Sequence, residues 1–224
     1  MIKAAAAANS MPLLRGLYAI ADQALIPTGQ LIERAESALQ GGAALLQYRA
    51  KHADAAQREA DARALLTLCR AYHAPLIIND DVALAKILGA DGVHLGADDA
   101  TLAYARQALG PRAIIGVSCY NSIERALRAE REGADYVAFG RFFPSRSKPG
   151  AVQADVALLR AARKKLHLPI AAIGGITAQN GAPLLEAGAD MLAVIHGVFG
   201  QQDVRSAAQS YTMLFRRKKN EPVT

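Results

Sequence analysis

Cysteine is scarce: Cys69 and Cys119 are the only two in 224 residues, in no metal-ligand or redox spacing, and each sits in an apolar segment where a buried free thiol is expected. That excludes a disulfide scaffold and fits a cytoplasmic, reducing setting. Aromatic residues are also few, at 5%. With no basic stripe through the body of the chain, nothing is suited to stacking on or tracking a nucleic acid. The N-terminal MIKAAAAANSMPLLRG lacks the long apolar core of a secretory signal or membrane span. Residues 1–16 are therefore expected to form a flexible or weakly helical lead-in. The net charge of +6 falls to +2 once RRKK (Arg216, Arg217, Lys218, Lys219) is set aside, so the basicity belongs to a short tail, 216–224, of the kind that ends a solvated helix.

What the chain does have is an apolar half: 52% of its residues are hydrophobic, enough for a large core without staples. Short apolar runs that end in polar or Gly residues alternate with segments of helical period. The runs are LYAIAD (17–22), ALLQYR (44–49), LIIND (76–80), GVHLG (92–96), AIIGVS (113–118), YVAFG (136–140), PIAAIGG (169–175) and MLAVIHG (191–197). Between them lie GQLIERAESALQ, AAQREADARALLTLCRAY, TLAYARQAL, SIERALRAEREG, VALLRAARKKL and NGAPLLEAG, with Ser, Thr, Asp or Asn near many starts and Gly near many ends. Strand and helix alternating throughout predicts parallel strands joined by right-handed crossovers.

An internal echo supports eight strands. GGAALLQY, GADGVHLG, GADYVAFG and GADMLAVI each introduce an even-numbered strand, and fourfold recurrence of a two-βα unit predicts a single-domain (β/α)8 TIM barrel over residues 17–215. Catalysis in that fold is expected at the C-terminal strand ends, with phosphate commonly bound after the seventh and eighth strands. The residues there are Gln47, Arg49 and Lys51; Asn79 and Asp80; Asp98 and Asp99; Ser118; the loop FFPSRSKPGA; Gly174 and Gly175; and Ile195 with His196. Carboxylates with phosphate oxygens suit Mg2+, while cations and hydroxyls suit phosphate itself. No Ser-His-acid or Cys-His set is apparent at these positions, so charge stabilisation of a phosphorylated group is the expected chemistry. His94, mid-strand, is expected to be a hydrogen-bonded barrel residue.

QYRAK, IINDD, DGVHLGADD, IIGVSCYNS, GADYVAFGRFFPSRSK and IAAIGGIT, in this order and spacing, resemble the thiamine phosphate synthase family from about Leu17 to the end of the eighth strand. The resemblance implies joining of 4-amino-2-methyl-5-(diphosphomethyl)pyrimidine to a thiazole phosphate, with or without a ring carboxylate, giving thiamine phosphate and diphosphate. It implies that Asp80 and Asp99 hold Mg2+, leaving Asp81 and Asp98 to cap helices. It assigns Gln47, Arg49, Lys51, Asn79, Ser118 and Lys148 to the pyrimidine diphosphate, with Lys51, Lys148 and Ser118 acting in catalysis. Ser145, Arg146, Ser147, Gly175, Ile195 and His196 fall to the thiazole phosphate. The chain departs from the family pattern at Ala97, where Gln is common; at the loop hydroxyls, where Ser replaces Thr; and at His196, where Ser is frequent. His196 could donate to phosphate or simply pack.

The partners expected are small phosphorylated molecules, with no nucleic acid and no membrane, and a homo-oligomer is compatible with the sequence. Two rival functions share this barrel. A thiazole phosphate tautomerase would have little use for the acid pair with Lys51 and Lys148, and a non-catalytic thiamine-pathway regulator would not need to keep them. A Schiff-base aldolase would need a desolvated lysine inside the barrel, and no strand contains one.

Overall fold

The computed structural model describes residues 14–144 and 153–217. Within these, eight strands close into one parallel barrel in chain order: β1 (Gly16–Asp22), β2 (Ala43–Arg49), β3 (Leu76–Asn79), β4 (Gly92–Leu95), β5 (Ile114–Tyr120), β6 (Tyr136–Gly140), β7 (Ile170–Ile173) and β8 (Met191–Val194), which pairs back on β1. The crossovers carry α1 (Leu31–Gln40), α2 (Ala55–Ala71), α3 (Val82–Leu88), α4 (Leu102–Leu109), α5 (Ile123–Arg131), α6 (Val156–Arg163) and α7 (Ala182–Glu186). After β8 come a single turn, α8 (His196–Phe199), and a longer α9 (Val204–Arg217). The expected lead-in and basic tail lie largely outside the described residues, as do Ser145, Arg146, Ser147 and Lys148.

Successive strand residues point to opposite faces, and this alternation divides the interior in two. Leu17, Ala19, Leu46, Tyr48, Ile78, Val93, Leu95, Val137 and Phe139 face outward into the layer under the helices. Tyr18, Ile20, Leu45, Ile77, Ile114, Tyr136, Ala138, Ala171, Met191 and Ala193 fill the barrel itself. Gly116 is needed in that filling. A Cβ there would lie 2.0 Å from the Tyr136 ring, so only glycine lets the ring cross the barrel beside β5.

The N-terminal mouth is closed by the acids of the recurring GAD words. Asp91 accepts the N–H of Leu76 (2.8 Å), Asp135 that of Ile115 (2.7 Å) and Asp190 that of Ile170 (2.9 Å). Each acid before an even-numbered strand thus satisfies a backbone donor at the start of the strand before it. Arg106 pairs with Asp135 at 2.6 Å and Arg163 with Asp190 at 2.9 Å.

Helices α2 to α6 begin at Asp54, Asp81, Thr101, Ser122 and Asp155, whose side chains accept the N–H three residues on. Asp81 caps as expected, but Asp98 does not. Thr101 takes that place, because α4 starts only at Leu102 and Asp98 lies out of reach on the preceding loop. The eighth strand is also shorter than the apolar run suggested: it stops at Val194, Ile195 precedes α8 and His196 is its first residue.

Candidate active site

The end of β3 carries the first acid. Asp80 sits in the left-handed region at φ 64°, which Asp tolerates better than most residues, and its N–H donates to the His94 carbonyl at 2.9 Å. The turn takes its carboxylate off the line of the strand. Lys51, just past β2, places Nζ 3.1 Å from Asp80 Oδ2.

Asp99, after β4, meets the same group. Its Oδ2 accepts the Gly96 N–H at 2.6 Å. Its carboxyl is pushed up from its ordinary value, first by burial and then by a hydrogen bond with Asp80. The Gly96 N–H opposes that rise, the Asp80 charge adds to it, and the Lys51 charge opposes it. Acids from two different strand ends thus act on one another, and a cation between them would relieve the cost of ionising Asp99. A two-carboxylate set with an open side suits Mg2+ when phosphate oxygens and water complete the shell.

A cleft of about 290 Å³ opens beside Asp80, lined by Tyr48, Lys51, Arg58, Asn79, Asp80 and Asp81 among others. On its other side Lys51 also borders a cleft of about 460 Å³ between the loops after β1 and β2, with Gln23, His52, Gln57 and Asp61 in its lining. Arg49 is paired with Asp22 of the neighbouring strand. The Asp22 carboxylate also accepts the Ala24 N–H at 3.2 Å.

Below the mouth, a chain of polar side chains crosses the barrel. Gln47 Nε2 donates to the Tyr18 hydroxyl (2.6 Å), and the Tyr18 and Tyr136 hydroxyls are 2.7 Å apart. Tyr136 meets His94 Nδ1 at 2.9 Å, and His94 Nε2 lies 2.9 Å from Ser118 Oγ. Burial raises both tyrosine hydroxyls well above their ordinary range, so they stay neutral donors and acceptors. The sequence reading found Gln47 and Ser118 at the two ends and His94 as a barrel residue, but missed Tyr18 and Tyr136. Strand alternation points both inward, but only closure of the barrel makes their contact.

Across the mouth, Gly175 follows β7 at φ 64°, and a Cβ there would meet the Pro144 carbonyl at 2.4 Å. Ile195 and His196 follow β8, with His196 exposed. In a closed eight-stranded order, β7 and β8 stand opposite β3 and β4. The acid pair and this second group therefore face each other over the polar chain.

Fold and site define a (β/α)8 barrel whose mouth is equipped for phosphorylated ligands. The chain belongs to the thiamine monophosphate synthase family, whose model matches residues 17–198. It is 54% identical over 202 residues to the thiamine-phosphate synthase of Nitrosococcus oceani, covering 90% of this chain and 93% of that one. It is 52% identical over 206 residues to that of Thiobacillus denitrificans, covering 92% and 97%. Among solved structures, the thiamine phosphate pyrophosphorylase from Pyrococcus furiosus superposes with a TM-score of 0.84 at 35% identity, over 93% of this chain and 98% of that chain.

Proposed function

We infer that the chain is a transferase of thiamine biosynthesis, joining 4-amino-2-methyl-5-(diphosphomethyl)pyrimidine to a thiazole phosphate with release of diphosphate. The observation that carries the site reading is the approach of Asp80 and Asp99 beside Lys51. These two carboxylates would hold Mg2+, which supplies charge neutralisation for the leaving diphosphate.

The protein's own groups divide the rest of the work. Lys51 and Arg49 add fixed positive charge where the diphosphate departs, and the family resemblance assigns Lys148, outside the described residues, with them. Asn79 and Ser118 supply hydrogen bonds at the ends of β3 and β5. The chain Gln47–Tyr18–Tyr136–His94 is bonded within itself, and it orients the half-buried His94 beneath the mouth, where an imidazole suits an aminopyrimidine edge. On the opposite side, Gly175, Ile195 and His196 take the thiazole phosphate; the family resemblance gives Ser145, Arg146 and Ser147, outside the described residues, the same role.

The bond that breaks is the pyrimidine-methylene C–O, whose electron pair leaves with the diphosphate. The bond that forms joins that methylene to the thiazole nitrogen. The nitrogen is already a nucleophile, so alignment is the main demand and no strong base is needed. Among the described residues no nucleophile triad stands at the strand ends, which accords with this. A tautomerase would need an acid–base pair instead and would leave Asp80, Asp99 and Lys51 unused.

The test is direct. Protein incubated with both substrates and Mg2+ should yield thiamine phosphate, detected as fluorescent thiochrome after oxidation, and EDTA should abolish the signal. Product formed equally well in EDTA would remove the metal role of Asp80 and Asp99, and no product under either condition would overturn the synthase reading.

A further inference from the structure

Arg125 stands in the first turn of α5, three residues after the cap Ser122. That is an unfavourable place for a cation, because the helix dipole there is positive and Glu or Gln is preferred. The helix itself therefore does not explain the residue; its contacts do. Its Nε–H donates to the Ser118 carbonyl at 2.8 Å, and an Nη2–H donates to the Gly96 carbonyl at 3.3 Å. The guanidinium lies over the Tyr120 ring, 5.6 Å from its centroid.

The two carbonyls belong to one seam. The β4–β5 ladder runs from Gly92↔Ile114 to Leu95↔Val117, so Gly96 and Ser118 form the next step, beyond the last paired residues. One guanidinium bridges the strand ends where the ladder has stopped. Each strand end also bears a site group. Gly96 gives its N–H to Asp99 Oδ2, and Ser118 Oγ meets His94. A planar fork presents donors to both carbonyls at a fixed spacing, whereas the rotatable donors of an ammonium could reach them without fixing that spacing.

We propose that Arg125 is a positioning residue: by clamping Gly96 and Ser118 it sets the separation of Asp99 and Ser118, and with it the affinity for a metal-bound diphosphate group. The inference rests on the reading that Asp99 and Ser118 serve the diphosphate side of the reaction. Arg125 touches neither substrate nor metal in this role.

The experiment titrates substrate-free protein with Mg2+ and inorganic diphosphate together by calorimetry, and measures KM for each substrate separately. Arg125→Ala should weaken Mg-diphosphate binding about ten- to a hundredfold, as loss of the group that orients a metal ligand does. KM for the pyrimidine diphosphate should rise while KM for the thiazole phosphate stays as it was. Arg125→Lys should recover part of the loss, and it carries the test if the alanine variant does not fold. Unchanged Mg-diphosphate binding, or an equal loss for both substrates accompanied by a lower melting temperature, would overturn the proposal. Asp99→Asn separates this from the underlying site reading. If Asp99→Asn abolishes Mg-diphosphate binding and Arg125→Ala does not alter it, only the clamp is wrong; if Asp99→Asn binds normally, the diphosphate site itself lies elsewhere.

Discussion

Lys51 Nζ stands 3.1 Å from Asp80 Oδ2, an ion pair that joins the ends of β2 and β3 at the mouth of the barrel. The lysine side chain is 47% exposed and the aspartate 27%. A pair this open to water contributes at most about 1 kcal/mol to stability, so folding alone gives it little purpose. Its place beside two acids that repel each other fits a charge held ready for an anion.

Lys51→Ala should therefore separate stability from catalysis. Urea denaturation should move by no more than about 1 kcal/mol, while kcat should fall by about 10²-fold or more, the effect of losing one charge-stabilising donor. Comparable kcat in the two proteins would remove Lys51 from the chemistry.

Gly116→Ala should show how tightly the throat is built. The new methyl would overlap the ring of Tyr136, which is fully buried and held by Tyr18 and His94. Overpacking of this kind costs roughly 1–3 kcal/mol, and displacing the ring would add about 1 kcal/mol for each hydrogen bond lost. Combining it with Tyr136→Leu should cost less than the sum of the two single changes, read by a double-mutant cycle in urea. Additive costs would mean that the ring does not lie against Gly116.

How much of this was legible depended on whether a feature is local. The barrel could be read because apolar runs, caps and the recurring GAD words are each set within a few residues. That the acid clusters after β3 and β4 share one mouth could be read because a barrel brings all C-terminal strand ends together, whatever their separation in sequence; the choice of Asp80 and Asp99 comes from the family resemblance. The Tyr18–Tyr136 contact could not, because a tyrosine in an apolar strand is indistinguishable from core until closure brings β1 and β6 together. Arg125 was hidden among the charges of α5, and only the position of Gly96 on a different strand shows what it holds. The end of β8 was misplaced because MLAVIHGVF is nearly all apolar, with no turn residue between strand and helix. Asp98 and Asp99 are chemically alike; the family resemblance singles out Asp99 for the metal, and the loop geometry, with Thr101 at the cap, denies Asp98 the capping role.

Asp135→Asn tests the opposite mouth. Asp135 Oδ2 accepts the Ile115 N–H and pairs with Arg106, both partly shielded from water. Neutralising it leaves Arg106 without its charge partner, and breaking a well-buried pair costs about 3–5 kcal/mol, an upper bound for this half-shielded one. Residues at the N-terminal face of such a barrel serve stability and not chemistry. The variant should melt at a lower temperature yet keep its kcat when assayed well below that point. A kcat that fell with stability intact would place Asp135 in the catalytic machinery instead.

The two thiols should report on folding rather than function. Cys69 and Cys119 are fully buried, and burial pushes both up to about 12; the Asp91 charge adds to the rise at Cys69, and the Arg125 charge opposes it at Cys119. A thiol reagent at pH 8 should therefore leave native protein untouched and label both cysteines in urea, since the thiolate is the reactive form. The sign of the pH effect follows from the same shift. In the unfolded chain a cysteine ionises near pH 8.5, whereas the folded protein holds its thiols neutral. The stability is fully present below that pH and is lost as pH rises toward the folded value. Each thiol should remove up to about 1.4 kcal/mol per pH unit above roughly 8.5. Urea unfolding at pH 7.5 and 9.5 should show this decline, and replacing both cysteines with alanine should flatten it while lowering stability at pH 7.5. An equal decline in the cysteine-free protein would assign it to other groups, with the buried tyrosines next in line as the pH approaches 10.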